Sequence, residues 1–410
     1  MRILILGHNY APERVGIGPY TTDLAEHFAG TGHAVTVITT FPHYPRYRWQ
    51  EDQTWARREH QAGVEIRRGW VFLPRKPTAF WRILFDTSVG CSFLLNSIGV
   101  RRPNLVIAIV PTLQGALVGG ILSKIWNSAS ILLVHDLPIE AGISVGMLHS
   151  DVARRVGTWL EHSVIRLFTR IVVVGERFRE NLVSKGIHPP RITLIPNWVD
   201  LDAVMPAEAD PEMRHTIAGA DVEFLVLYTG SMGAKQGLEN VVHACEYLRG
   251  ERGLRVVLAG DGPARPGIEN AIARSGLTNV RTADLQPVDY FVRMLAAADL
   301  LLINQREDVV DSVVPSKLIH YMAAGRPILA AVNKASVAAQ LINEAGSGIV
   351  VLPQEPTHLA DAIRDLRREP DLRAKLARRG RDYAEQRYAK RVALQNWTDL
   401  VTELTSGQQS

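Results

Sequence analysis

Apolar runs and apolar positions at helical spacing take turns along the chain, and that alternation predicts strands and helices in succession. Ile3–Leu6 is a short unbroken apolar run that meets a glycine, the pattern of a buried strand. Ile17, Tyr20, Leu24 and Phe28 then recur at helical spacing. Further strands are predicted at Val35–Thr39, Val64–Arg67, Leu105–Ile109, Ile131–Val134, Ile171–Val174 and Ile192–Ile195. Between Asp200 and Ala220 the pattern lapses, and Pro206, Pro211, small residues and mixed charge predict a linker. It restarts with a strand at Phe224–Thr229, a helix over Leu238–Leu248 and strands at Arg255–Ala259, Leu300–Ile303, Ile328–Ala331 and Ile349–Val351. Alternation on both sides of a proline-containing joint predicts an α/β chain of two Rossmann-like domains facing a cleft.

Size agrees with two domains, because 410 residues exceed the roughly 250–300 at which a single core stops growing. Apolar residues make up 46% of the chain, enough for two cores. A net charge of +4 suits acidic ligands such as diphosphates, or an anionic membrane surface, but is far from a nucleic-acid-binding tail. The two cysteines, Cys91 and Cys245, lie in different halves without CxxC spacing. That argues against a disulfide framework or a structural zinc site and fits a reducing compartment, the cytoplasm. The apolar start at Ile3–Leu6 is too short for a secretion signal. Arg75-Lys76-Pro77 precedes an apolar stretch from Phe80 to Ile98. Arg82, Asp86 and Asn96 interrupt it, so it falls short of the about 20 apolar residues a membrane span needs. It reads either as a core helix pair or as a segment whose basic, aromatic start touches the inner membrane.

Four clusters carry candidate chemistry. Gly16-Ile17-Gly18 opens a helix, where bare backbone N–H groups can approach an anion. It is a poor dinucleotide fingerprint: Thr21 stands where the third glycine belongs, and the next strand ends in Thr39-Thr40 rather than an acid. His135 and Asp136 follow the apolar strand Ile131–Val134, at the carboxyl end where open α/β sheets bind ligands, although either could merely cap a turn. Tyr228-Thr229-Gly230-Ser231-Met232-Gly233-Ala234-Lys235 runs off a strand. Its glycines allow the loop to bend and move around a phosphate, and Lys235 supplies a point charge without Walker A spacing. Pro315-Ser316-Lys317-Leu318 starts a helix that Gly325-Arg326-Pro327 ends, which puts Ser316 and Lys317 at an anion-favouring N-terminus. Gly260-Asp261-Gly262-Pro263 and Ile195-Pro196-Asn197-Trp198 are smaller signals of the same kind. Asp200-Leu201-Asp202 matches the DxD pattern of metal-dependent sugar transfer, but at a domain joint it reads as a solvated turn.

Taken in order with His8-Asn9-Tyr10-Ala11-Pro12-Glu13 and Phe41-Pro42-His43-Tyr44-Pro45, these motifs resemble glycosyltransferase family 4, the retaining GT-B transferases. Within it they are similar to colanic-acid-type exopolysaccharide enzymes, over essentially the whole chain. The resemblance implies a C-terminal domain over residues 203–387 that binds a nucleotide sugar. Its diphosphate would contact the loop of Gly230, Ser231 and Lys235 and the Ser316-Lys317 helix start, its base would lie near Leu285 and Gln286, and Gly260 and Leu318 would also contact the nucleotide sugar. It implies an N-terminal domain over residues 1–202, with 388–405 packing back on it. There Gly16, Ile17, Gly18, His135 and Asp136 would face a glycan or lipid-linked acceptor, with Asn197 at the joint. No metal or other cofactor is implied. Two departures from the family pattern involve three positions. Ser231 replaces a common arginine, and Ser312 and His320 replace a pair of glutamates, so His320 would hydrogen-bond the ribose. A sugar-nucleotide epimerase or hydrolase of the same architecture, and a non-catalytic sugar-binding protein, are the alternatives.

Overall fold

The computed structural model describes residues 1–13, 16–44, 48–49, 54–74, 78–137, 151–208, 210–284, 288–309 and 315–406. The chain forms two compact units, one of Met1–Pro196 with Leu394–Ser410 and one of Asn197–Ala393.

The first unit contains strands β1 (Arg2–Leu6), β2 (Ala34–Thr40), β3 (Ala56–Gln61), β4 (Val64–Gly69), β5 (Leu105–Val110), β6 (Ala129–Val134), β7 (Arg170–Val173) and β8 (Ile192–Leu194). They form one sheet in the order β3-β4-β2-β1-β5-β6-β7-β8. All neighbours are parallel except β3 and β4. Its helices among the described residues are α1 (Gly18–Gly30), α2 (Ala79–Ser97), α3 (Leu113–Ile125), α4 (Asp151–Arg166) and α5 (Glu176–Ser184). Every residue of β5 and β6 is buried, as strands covered on both faces must be.

In the second unit the helices are α6 (Pro211–Ala218), α7 (Glu239–Tyr247), α8 (Arg265–Arg274), α9 (Val288–Ala297), α10 (Ser316–Ala323), α11 (Val337–Ala345), α12 (Pro356–Arg368) and α13 (Pro370–Arg387). Its strands are β9 (Phe224–Thr229), β10 (Leu254–Ala259), β11 (Val280–Ala283), β12 (Leu300–Asn304), β13 (Ile328–Ala331) and β14 (Gly348–Val351). They pair in parallel in the order β11-β10-β9-β12-β13-β14. Side chains of β9 alternate between two cores, Leu225 and Leu227 on one face, Phe224, Val226 and Tyr228 on the other. The final helix, α14 (Lys390–Ser406), runs from the end of the second unit into the first, where its Thr398 bonds His27 of α1.

Three elements differ from the sequence expectation. β3 is a polar edge strand that a search for apolar runs passes over, and it pairs with β4 through a turn in which Ala62 and Gly63 both take positive φ. β11 is short and only half apolar. The expected linker between Asp200 and Ala220 contains α6: Asp210 caps it by accepting from the Met213 N–H at 2.8 Å, and Met213 and Ile217 are buried in the core.

Candidate active site

In the second unit the strand ends and helix starts converge on one cation. Lys317 stands in the first turn of α10, and its Nζ donates to the Tyr228 hydroxyl at 3.0 Å. The ammonium also lies over the Tyr228 ring, 4.1 Å from its centre. Tyr228 Oη in turn donates to the Ser231 carbonyl at 2.6 Å, so its lone pairs face Lys317. Burial pulls the Lys317 pKa down to about 8 and pushes that of Tyr228 up. An ammonium so desolvated gains a great deal from an anion beside it.

Beneath it the backbone is bare. A Cβ on Gly230, which has φ of +124°, would lie 3.1 Å from Lys317 Nζ. A Cβ on Gly260 would lie 1.9 Å from the Gly230 carbonyl oxygen, so the loops after β9 and β10 pack glycine against glycine. Hydrogen bonds from Gly230 N–H to Ala259 (2.9 Å) and from Met232 N–H to Asp261 (2.8 Å) hold them together. Beside this floor, His320 donates from Nδ1 to the Ser316 carbonyl (2.8 Å) and packs edge-on against Phe291. Burial lowers its pKa, so the ring is neutral and Nε2 keeps an acceptor lone pair.

The first unit gathers polar side chains at the carboxyl ends of β1, β2 and β6. Glu13 is buried and accepts from the N–H groups of His43 and Tyr44 (both 2.7 Å) and from Asn9 Nδ2 (2.6 Å). Gly18 fits because a Cβ there would meet the Glu13 carbonyl at 2.8 Å, and Gly16 because its φ is +70° and Tyr44 stands against it. Tyr20, on the first turn of α1, stacks on His135 with ring centres 5.9 Å apart. His135 is buried, both its ring nitrogens lack a hydrogen-bond partner among the described residues, and burial holds its pKa near 4. A neutral imidazole with unspent hydrogen-bonding capacity suits a sugar hydroxyl.

Comparison with known proteins resolves what such a pair of units is. Residues 15–198 match the family described as glycosyl transferase 4-like domain, and residues 211–383 match glycosyl transferases group 1. The putative colanic acid biosynthesis glycosyl transferase WcaI of Escherichia coli K12 is 28% identical over 98% of this chain and all of its own length. The chain belongs to the GT-B glycosyltransferases of the family 4 type. Its fold is shared with sucrose-phosphate synthase from Thermosynechococcus elongatus (TM-score 0.74, 18% identity, 99% of both chains). HepE of Anabaena, solved in complex with UDP, superposes with a TM-score of 0.70 at 17% identity, covering 98% of this chain and all of HepE.

Within this glycosyltransferase the residues singled out from the sequence separate by position. Gly230, Gly260 and Lys317 come together, with Ser231 and Ser316 exposed beside them and His320 one turn further along α10. Lys235 is exposed, in a loop braced by hydrogen bonds. Gln236 Oε1 accepts from the Gly233 N–H at 3.0 Å, and Asn304 Nδ2 donates to the carbonyls of Gln236 (2.7 Å) and Gly237 (2.9 Å). Leu318 does not belong to the surface of the site. Its side chain is in the core, and its N–H is taken by the Pro315 carbonyl. Asn197 begins the second unit, its Oδ1 buried without a partner among the described residues. In the first unit Gly16, Ile17 and Gly18 are joined to His135 through Tyr20. Asp136 is exposed and its Oδ1 accepts from the next N–H, of Leu137, at 2.8 Å, which is how a turn cap behaves. Leu285, Gln286, Ser312 and the Arg75-Lys76-Pro77 run lie outside the described residues.

Sequence reasoning includes Tyr228 and Glu13 in its motifs but assigns neither a role. Tyr228 reads as one more buried strand residue, and only the fold puts Lys317 on its ring. Glu13 carries a weak signal, an acid between Pro12 and the Gly16-Ile17-Gly18 loop, and its three hydrogen bonds show why it is there.

Proposed function

We propose that the chain moves a hexosyl or deoxyhexosyl group from a nucleoside-diphosphate sugar to a glycan or lipid-linked acceptor, with retention of anomeric configuration. The setting is cytoplasmic assembly of an exopolysaccharide or cell-envelope glycan. The observation that carries this reading is Lys317 held over the bare backbone of Gly230 at the start of α10. Support comes also from the name of the relative, which assigns it to colanic acid biosynthesis, and from the UDP bound to HepE.

As the bond between the sugar C1 and the phosphate oxygen breaks, negative charge collects on the departing diphosphate. Lys317 and the N-terminus of α10 meet that charge with a fixed ammonium and helix dipole, and Lys235 adds a solvent-side cation. No protein carboxylate serves as nucleophile in this scheme. The acceptor oxygen attacks C1 on the face the diphosphate leaves, and its proton passes to the departing phosphate oxygen. His135, neutral, orients a sugar hydroxyl rather than moving a proton. Nε2 of His320 accepts from a ribose hydroxyl where other members use glutamate.

Because the cationic side chains supply the counter-charge, transfer needs no divalent metal. Asp200 supports this, since its Oδ1 accepts from the N–H groups of Asp202 (3.1 Å) and Ala203 (3.0 Å), the duty of a turn residue. Transfer to a lipid-linked sugar extract, followed by NMR of the product's anomeric proton, should give the donor's own anomeric configuration. It should proceed at the same rate in excess EDTA, and Asp200→Ala should keep most of it. An inverted product would overturn retention. Loss in EDTA with recovery on adding Mn²⁺ or Mg²⁺ would overturn metal independence. Donor consumption at full rate without any acceptor would favour the epimerase or hydrolase.

A further inference from the structure

Among the described residues no carboxylate pairs with Lys317, which is half-buried at the start of α10. Its ammonium is held instead by Tyr228, through the hydroxyl at 3.0 Å and through the ring face at 4.1 Å. A carboxylate in that place would cancel the charge that attracts a diphosphate. A phenol oxygen and a ring quadrupole orient the ammonium and leave its net charge intact. An ammonium carries three N–H groups, so the bond to Tyr228 leaves two for an incoming anion.

The Tyr228 hydroxyl is committed to accepting from Lys317, because its own proton goes to the Ser231 carbonyl at 2.6 Å. Tyr228 thereby ties the loop after β9 to the first turn of α10. A second buried tyrosine crosses the same junction in the opposite direction. Tyr321 of α10 accepts from the Thr229 N–H at 2.9 Å and stands 3.0 Å from Thr229 Oγ1. Strand and helix are thus joined by a hydroxyl that bonds Thr229 rather than Lys317, and the hydroxyl of Tyr228 is spent on the cation. The titratable groups beside the ammonium on this strand and helix are Tyr228, His320 and Tyr321. Burial pushes both phenols up and the imidazole down, so all three are neutral near pH 8, where Lys317 titrates.

We propose that Tyr228 is a positioning residue for the transfer reaction, its hydroxyl and ring holding the Lys317 ammonium over Gly230 with two N–H groups left for the donor diphosphate. This rests on the role proposed for Lys317 and adds a partner whose removal leaves the charge in place.

Tyr228→Phe keeps the ring and removes the hydroxyl. Its kcat should fall about tenfold, because a stabilising charge slightly out of place loses much of its effect. Donor Kd should change less, by about threefold, because the charge remains. Calorimetric titration of UDP, GDP and dTDP across pH reads the lysine itself. Affinity falls as Lys317 loses its proton near pH 8. The hydroxyl favours the protonated form by accepting from it, so in Tyr228→Phe that fall should come about one pH unit lower. Tyr321→Phe is the control: it removes the other buried hydroxyl, should melt at a lower temperature, and should keep the wild-type pH profile. Tyr228→Phe combined with Lys317→Met should behave as Lys317→Met alone, since no ammonium is left to place. Wild-type kcat and pH profile in Tyr228→Phe would overturn the positioning role, and so would an equal displacement of the profile in Tyr321→Phe. An impaired Lys317→Met beside an unimpaired Tyr228→Phe removes the positioning role alone, whereas an unimpaired Lys317→Met removes the role of Lys317 and this one with it. Should Tyr228→Phe not fold, Lys317→Arg decides. It keeps the charge, but its longer planar head cannot sit on the Tyr228 hydroxyl as the ammonium does, so wild-type kcat there would overturn the proposal.

Discussion

Lys317→Met should lower kcat by about 10²-fold, the scale of losing one preorganised electrostatic stabiliser. Methionine nearly matches the length of lysine and can still pack on the Tyr228 ring, so the change removes charge with little loss of shape. Donor binding should weaken less, by about tenfold, near the lower end of what a charge-assisted hydrogen bond contributes. The split arises because the diphosphate gains charge as the glycosidic bond breaks, so the ammonium holds the transition state more tightly than the ground state. Burial has already depressed the Lys317 pKa to about 8, so its ammonium is less well hydrated than one in open solvent. Steady-state kinetics with a direct measurement of donor Kd separates the two effects. Near-normal kcat in a variant whose circular dichroism matches the wild type would remove Lys317 from the chemistry and leave α10 an ordinary capped helix.

Gly260→Ala should strongly destabilise the second unit. Its new methyl would lie 1.9 Å from the Gly230 carbonyl oxygen and 3.0 Å from the Gly230 carbonyl carbon, both backbone atoms that no rotamer change can move aside. To fit it, the ends of β9 and β10 must part and the Gly230–Ala259 and Met232–Asp261 hydrogen bonds must lengthen. Overpacking of this kind costs about 3 kcal/mol. For a unit of this size that lowers Tm by roughly 6–12 °C. Gly267→Ala is the matched control. It lies in α8 with nothing within 4 Å of its would-be Cβ, so it should be neutral or stabilising. Differential scanning calorimetry of the two variants reads the difference. Equal melting would mean that the two loops do not pack glycine against glycine.

Parts of this architecture are legible in the sequence because they follow from local properties. Strands buried on both faces announce themselves as apolar runs, which is why Leu105–Ile109 and Phe224–Thr229 stand out from residue order alone. β3 is invisible to the same search, because Ala56–Gln61 reads ARREHQ and owes its pairing to a two-residue turn and to β4. The stretch before β9 misleads in the other direction. Proline suggests a linker, yet Pro211 occupies the first helical position, where its missing N–H costs nothing. Of the candidate site, the glycines and lysines beside strand ends are legible because backbone approach and charge are local properties too. That Tyr228 carries Lys317, and that Glu13 ties down the loop at His43 and Tyr44, depends on tertiary contacts that no local spacing encodes. Leu318 misleads because a helix N-terminus reads as uniformly open, whereas its side chain faces the core.

Whether a nucleotide diphosphate rests on the Lys317 ammonium can be measured by calorimetric titration of nucleoside diphosphates, UDP, GDP and dTDP among them, across pH. Below a pKa of about 8 the free protein already carries the charge, and the wild-type affinity relative to Lys317→Met should be flat. As pH rises through that value the free lysine loses its proton, and binding must recapture one, so affinity should fall. It should level off about tenfold weaker, at the affinity of Lys317→Met, whose own profile reports only the titration of the nucleotide. Parallel pH profiles for the wild type and Lys317→Met, or no binding of any nucleoside diphosphate, would contradict a donor diphosphate seated on Lys317.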